Sequence, residues 1–114
     1  MNDINSLIIE GVIQKKSPLT QNAAGFNSLT LELGVSRTYK SITGEEVTET
    51  DDFPVACYGN VAQFVDSKAE IGRKIRAVGR LKRNKWTDKD GKKQKGFVVY
   101  AEHIEIMPKK KEAQ

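Results

Sequence analysis

The stretch LKRNKWTDKDGKKQKGF, residues 81–97, holds the chain's only tryptophan, Trp86, among Lys82, Arg83, Lys85, Lys89, Lys92, Lys93 and Lys95. A large aromatic ordinarily goes inside a fold, and a cluster of cations ordinarily stays in water. A polyanion with flat π-faces exposed along it would use both. Cations neutralise its phosphates with release of counterions, and aromatic rings stack on its bases, each stack contributing roughly 1–3 kcal/mol. Single-stranded nucleic acid is such a ligand, and the chemistry is binding rather than bond-making. Trp86 has a second reading, as a satellite residue folded back over the core.

Other aromatics invite the same comparison. Tyr39 lies in SRTYKS between Arg37 and Lys40, either a stacking platform with local phosphate contacts or a ring capping a strand end. Tyr58 ends a strand just before Gly59 and, by alternation, faces away from Val55 and Cys57, which read as core. Phe53 shares the parity of Val55 and Cys57, so core or a subunit contact is favoured over base stacking; Asp52 then takes the outward position, where a carboxylate repels phosphate.

Catalysis has little support. The single histidine, His103, and the single cysteine, Cys57, fall on different strands, and no triad, phosphate loop or metal-ligand spacing accompanies them. His103 alternates with Phe97, Val99 and Ala101 and reads as a structural residue; Cys57 reads as inert core. No enzyme activity, cofactor or metal is expected.

These residues need elements to hold them. INSLIIEGVIQ (4–14) is β-branched and apolar, with Gly11 marking a bulge or bend. SLTLELGVS (28–36) alternates cleanly, RTYKSITGEEVTETDD (37–52) is an acidic loop or extended ribbon, and FPVACYG (53–59) is a third strand. NVAQFVDSKAEIG (60–72) carries Val61, Phe64, Val65 and Ala69 near helical spacing. KIRAVGRLKRNKW (74–86) and FVVYAEHIEIM (97–107) are strands joined through the turn DKDG. In the first of these, Ile75, Ala77, Gly79 and Leu81 share one side; Arg76, Val78, Arg80, Lys82, Asn84 and Trp86 share the other. The order predicts an all-β chain: a five-stranded OB-fold barrel, one helix between strands three and four, and a long hairpin between strands four and five.

Charge follows the same division. Residues 41–67 hold no Lys or Arg and six acids, whereas 68–95 hold twelve Lys/Arg and three acids, against a net charge of +4. Such segregation produces one basic face, suited to a polyanion. No apolar run approaches the roughly 20 residues of a membrane span, MNDINSLIIEG lacks a basic signal region, and the lone Cys57 has no intrachain disulfide partner, so a reducing, cytoplasmic setting is expected.

INSLIIEGVIQ, SLTLELGVSRTYK, GEEVTETDDF, CYGNVAQFV and IGRKIRAVGRLKRNKWTDKDG together resemble the bacterial single-stranded DNA-binding protein family over about residues 4–107. The resemblance implies an OB-fold, assembly as a homotetramer, and protection of single strands in replication, recombination and repair. It implies base stacking by Trp86, Tyr39 and Tyr58, and phosphate contacts at Lys82, Arg83 and Lys85. Arg37, Lys40, Arg76, Arg80, Lys92 and Lys93 join the candidate phosphate set from their charge and placement. Asp52 and Asn60 depart from the family, which usually has an aromatic and a lysine there. MPKKKEAQ replaces the family's acidic tip, so tail-mediated recruitment of partners is not expected. The domain expectation is residues 1–107, followed by a short basic tail, 108–114. An alternative is the dimeric primosomal adaptor built on the same fold, which bridges replication proteins; mass in solution separates the two.

Overall fold

The computed structural model of the protein describes residues 3–87 and 89–108; the side chain of Trp86 and the tail from residue 109 lie outside the described set. Its elements are β1 (Leu7–Lys16), a two-residue β2 (Thr20–Gln21), β3 (Asn27–Lys40), β4 (Glu46–Tyr58), α1 (Gly59–Lys68), β5 (Lys74–Thr87) and β6 (Lys93–Ile106). The sheet order β1-β5-β6-β4-β3 closes on itself through a β1–β3 pairing. Five strands therefore form a barrel, and one helix sits between β4 and β5. Closure removes the free edges that an open sheet of this size would expose.

One strand serves both ends of that closure. β1 pairs with β5 from Leu7 to Val12 and with β3 from Val12 to Lys16. Gly11 sits at the turnover, where a Cβ would lie 2.6 Å from the Gly34 carbonyl oxygen, so only glycine lets the strands cross this closely. The bulge itself falls three residues on, between Ile13 and Lys15.

Alternation fills the interior. Ile13, Leu31, Leu33, Val55, Cys57, Ile75 and Ala77 are fully buried, and Leu29, Val99, Ala101 and Ile104 nearly so. α1 closes one end of the barrel with Ala62 and Val65, followed by Ala69 just past its end. The predicted helical face included Phe64, but that ring is 40% exposed: the face aimed at the barrel runs through residues 62, 65 and 69, leaving Phe64 on its shoulder. Lys16 fastens the helix end, its Nζ donating to the carbonyls of Asp66 (3.0 Å) and Ala69 (2.9 Å).

One open reading is decided and one further expectation changes. Of the two readings of segment 37–52, loop or ribbon, the structure takes the ribbon: β3 and β4 pair without a break from Ser28–Tyr58 to Lys40–Glu46. His103 does not continue the inward series of Val99 and Ala101. The β5–β6 register shifts by one after Gly79–Ala101, leaving Glu102 as the extra residue. The bulge turns Ile104 inward and His103 outward, with its ring beside Glu105.

Candidate nucleic-acid interface

The parallel pairing of β4 with β6 sets Ala56 beside Tyr100, and the antiparallel pairing of β6 with β5 sets Tyr100 beside Arg80. Tyr58 follows two residues after Ala56, on the same outer face of the sheet. It remains extended (φ −134°, ψ 153°) because the strand continues to the residue where α1 begins. Its ring stacks on that of Tyr100 with centroids 5.0 Å apart and planes inclined by 25°. The Arg80 guanidinium lies 4.9 Å from the Tyr100 centroid, and the Lys82 ammonium 5.4 Å. These are cation–π distances. Tyr58 keeps 47% of its surface open. The patch thus offers an accessible aromatic plane bordered by two cations, the combination that binds phosphates and bases together.

Tyr100 was not singled out from the sequence. Its signal was present, since Tyr100 stands at the outward parity of a strand whose Val99 and Ala101 point inward. Only the pairing with Ala56 and Arg80 gives that position its neighbours.

The basic hairpin projects from this patch. Beyond Lys82–Val98, β5 and β6 pair with each other alone, through Trp86–Gln94 to Thr87–Lys93. Its base is braced by Asn5, whose side chain donates to the Leu81 carbonyl (2.8 Å) and accepts from the Leu81 amide (3.0 Å). Asn5 thereby adds a rung to the β1–β5 ladder. Trp86 holds the register position of the Arg80–Lys82–Asn84 series; its expected stacking surface lies outside the described residues. Arg83 and Lys85 occupy the opposite face, paired with Phe97 and Lys95. Lys92 and Lys93 lie where the chain returns from the turn.

The remaining candidates are not gathered here. Tyr39 shares a face of the β3–β4 ribbon with Arg37 and Phe53, the face continuous with the barrel interior rather than with Tyr58. Its hydroxyl donates to Glu49 Oε1 at 2.9 Å, and that bond raises the phenol pKa above its usual value. Arg37 and Lys40 stand opposite Glu49 and Glu46, so carboxylates offset their field. Phe53 pairs with Leu33 and no bulge turns it to the Tyr58 face, which Asp52 takes instead; yet it does not join the core as its parity predicts, because its part of the β3–β4 ribbon runs beyond the barrel interior and leaves it 39% exposed. Arg76 is engaged by two acids, with Nη2 3.0 Å from Glu10 and Nη1 3.7 Å from Glu105. Hydrogen bonds from Arg76 and then Lys74 hold Glu10 below the usual carboxylate range.

Comparison with known proteins places this arrangement. Single-stranded DNA-binding protein of Helicobacter pylori is 26% identical over 106 residues, 93% of this chain and 59% of the relative. Single-stranded DNA-binding protein 1 of Xylella fastidiosa is 24% identical over 113 residues, 98% of this chain and 83% of the relative. The chain thus spans a little under three fifths of the first and most of the second. Among solved structures, a Plasmodium falciparum SSB complex with ssDNA superposes with a TM-score of 0.84 at 16% identity, over 95% of this chain and 98% of that one. A deletion mutant of the single-stranded DNA binding protein from Thermus aquaticus superposes at 0.79 and 24% identity, over 93% of this chain and 51% of that one. These likenesses give the barrel as an OB-fold. The sequence model of the Single-strand binding protein family matches residues 4–107, and the chain belongs to that family.

Proposed function

We propose that the chain binds single-stranded DNA without sequence preference and without catalysis. The observation that carries this reading is the Tyr58–Tyr100 stack with Arg80 and Lys82 over Tyr100, on an open sheet face. Bases stack on Tyr58 and Tyr100 and on Trp86 further along the same register series. Arg80, Lys82, Arg83, Lys85, Lys92 and Lys93 receive phosphates. Tyr39 with Arg37 and Lys40 forms a weaker arm, because its acidic ribbon repels the strand. Arg76 stays with its carboxylates, and Phe53 lies on the ribbon face away from Tyr58 and Tyr100. The names of the family relatives, and the single strand in the Plasmodium falciparum complex, support the same ligand. Protection of single strands in replication, recombination and repair follows from this ligand, on the nucleoid in the cytoplasm. Assembly as a homotetramer is part of the reading, and mass in solution checks it against a dimer.

The test uses Trp86 as reporter. Oligo-dT is titrated into the protein at low and physiological salt, with duplex DNA as control. Salt-sensitive quenching by the single strand alone is the expected result, because displaced counterions weaken binding as salt rises. Equal affinity at both salts, or equal binding of duplex, overturns the proposal.

A further inference from the structure

The β5–β6 hairpin has two faces, and the second carries the same combination of residues as the first. Its odd-numbered positions bring together Leu81, Arg83 and Lys85 on β5 with Lys93, Lys95 and Phe97 on β6. Phe97 is 60% exposed and Leu81 41% exposed, although both follow the parity of the barrel interior. The barrel ends before it reaches them, so the face that is core below becomes a surface above. A shallow depression of about 290 Å³ opens there, lined by Lys85, Thr87, Lys93, Gln94 and Lys95. No acid stands at an odd position between Gly79 and Thr87 or between Lys93 and Val99. Arg83, Lys85, Lys93 and Lys95 make no ion pair among the described residues.

We infer that this second face is a continuation of the single-strand path, with Phe97 as its stacking residue. The inference rests on the function proposed above and extends it. Four cations and an open aromatic ring without an accompanying acid complement a polyanion that carries bases. Past Lys82–Val98 the ribbon pairs with no other described strand, so its edges leave room for a strand to cross from one face to the other. A short strand is satisfied by Tyr58, Tyr100 and the even-numbered face. A longer one wraps the hairpin and reaches Phe97.

The experiment compares oligo-dT lengths at the short end and beyond the long end of the roughly 4–16 nucleotides that one OB-fold covers. Affinities are measured for the wild type, Phe97→Ala and Phe97→Trp, and the mass of each protein in solution is recorded. Phe97→Ala is expected to weaken the long strand about tenfold and leave the short one unchanged, with Phe97→Trp restoring the long-strand affinity. Unchanged long-strand affinity in Phe97→Ala overturns the inference, as does an equal loss at both lengths. A lower mass for Phe97→Ala also overturns it, by making Phe97 a subunit contact. If the wild type binds neither length, the proposed function itself fails, a result distinct from each of the others.

Discussion

Replacing Tyr100 with leucine tests the interface where the structure adds most to the sequence. Tyr100→Leu keeps apolar bulk on the sheet but removes the ring that stacks on Tyr58 at 5.0 Å and lies beneath Arg80 and Lys82. An aromatic pair in this geometry contributes about 0.5–1.5 kcal/mol beyond its burial, and a base on an aromatic platform about 1–3 kcal/mol. The variant loses a platform and the neighbour that orients Tyr58, so affinity for oligo-dT should fall by about 1–3 kcal/mol, roughly 5- to 150-fold. Arg80 and Lys82 remain, so the slope of log affinity against log salt should stay that of the wild type. Arg80→Gln should behave the other way, its slope becoming shallower by about 0.7 for one lost phosphate contact on a single strand. Tyr58→Leu and the double variant complete a cycle, in which a coupling of about 0.5–1.5 kcal/mol is expected. Titrations at several salt concentrations give both quantities, and thermal melting verifies folding. A Tyr100→Leu protein with wild-type melting and wild-type affinity would refute the reasoning, as would a change of salt slope matching that of Arg80→Gln.

A Cβ at position 79 would overlap the Tyr100 carbonyl oxygen at the bulge, so Gly79→Ala should cost about 1–3 kcal/mol, read as a lower melting temperature. Lys16→Met removes both bonds to the end of α1 and should destabilise by about 1 kcal/mol, measurable in urea. Burial pushes the Cys57 thiol pKa up to about 12, so a maleimide should leave it unmodified in the native protein near neutral pH and label it on unfolding. Glu10 is held below the usual carboxylate range by Arg76 and Lys74, so its stabilising effect is complete above the unfolded-state pKa and disappears as pH falls through the lower folded-state value. Acid titration of Glu10→Gln should therefore show a shallower stability loss than the wild type across that window; identical curves would remove Glu10 from the account.

Period-two alternation made much of the barrel legible. Leu29, Leu31 and Leu33, or Ile75 and Ala77, announce an inward face within a few residues, and Gly11 announces a bend. The helix was equally plain, though its buried face was not, because Phe64 and Val65 are neighbours in sequence and only the barrel mouth selects between them. The acidic segment 37–52 left loop and ribbon both open, since its polar residues on both faces carry no alternation; the unbroken pairing of β3 with β4, out to Lys40–Glu46, decided it. The reversal at His103 was hidden for a related reason. A bulge is a relation between two strands, and β6 read alone shows no extra residue at Glu102.

Residue types and their local spacing determined the succession of strands and helix along the chain, the basic hairpin, the outward parity of Tyr58 and the kind of ligand that aromatics among cations suit. Tertiary structure decided which of those residues act together. Tyr100 joins Tyr58 only because β4 and β6, about forty residues apart in the chain, lie side by side at Ala56 and Tyr100. Arg76 is drawn to Glu10 from β1 and Glu105 from β6, while Tyr39 and Phe53 are carried to the other face of their ribbon. Alternation is a property of one strand, fixed by backbone geometry every two residues. Register and closure relate different strands, and a cluster that spans strands takes shape only when distant pairings close the barrel.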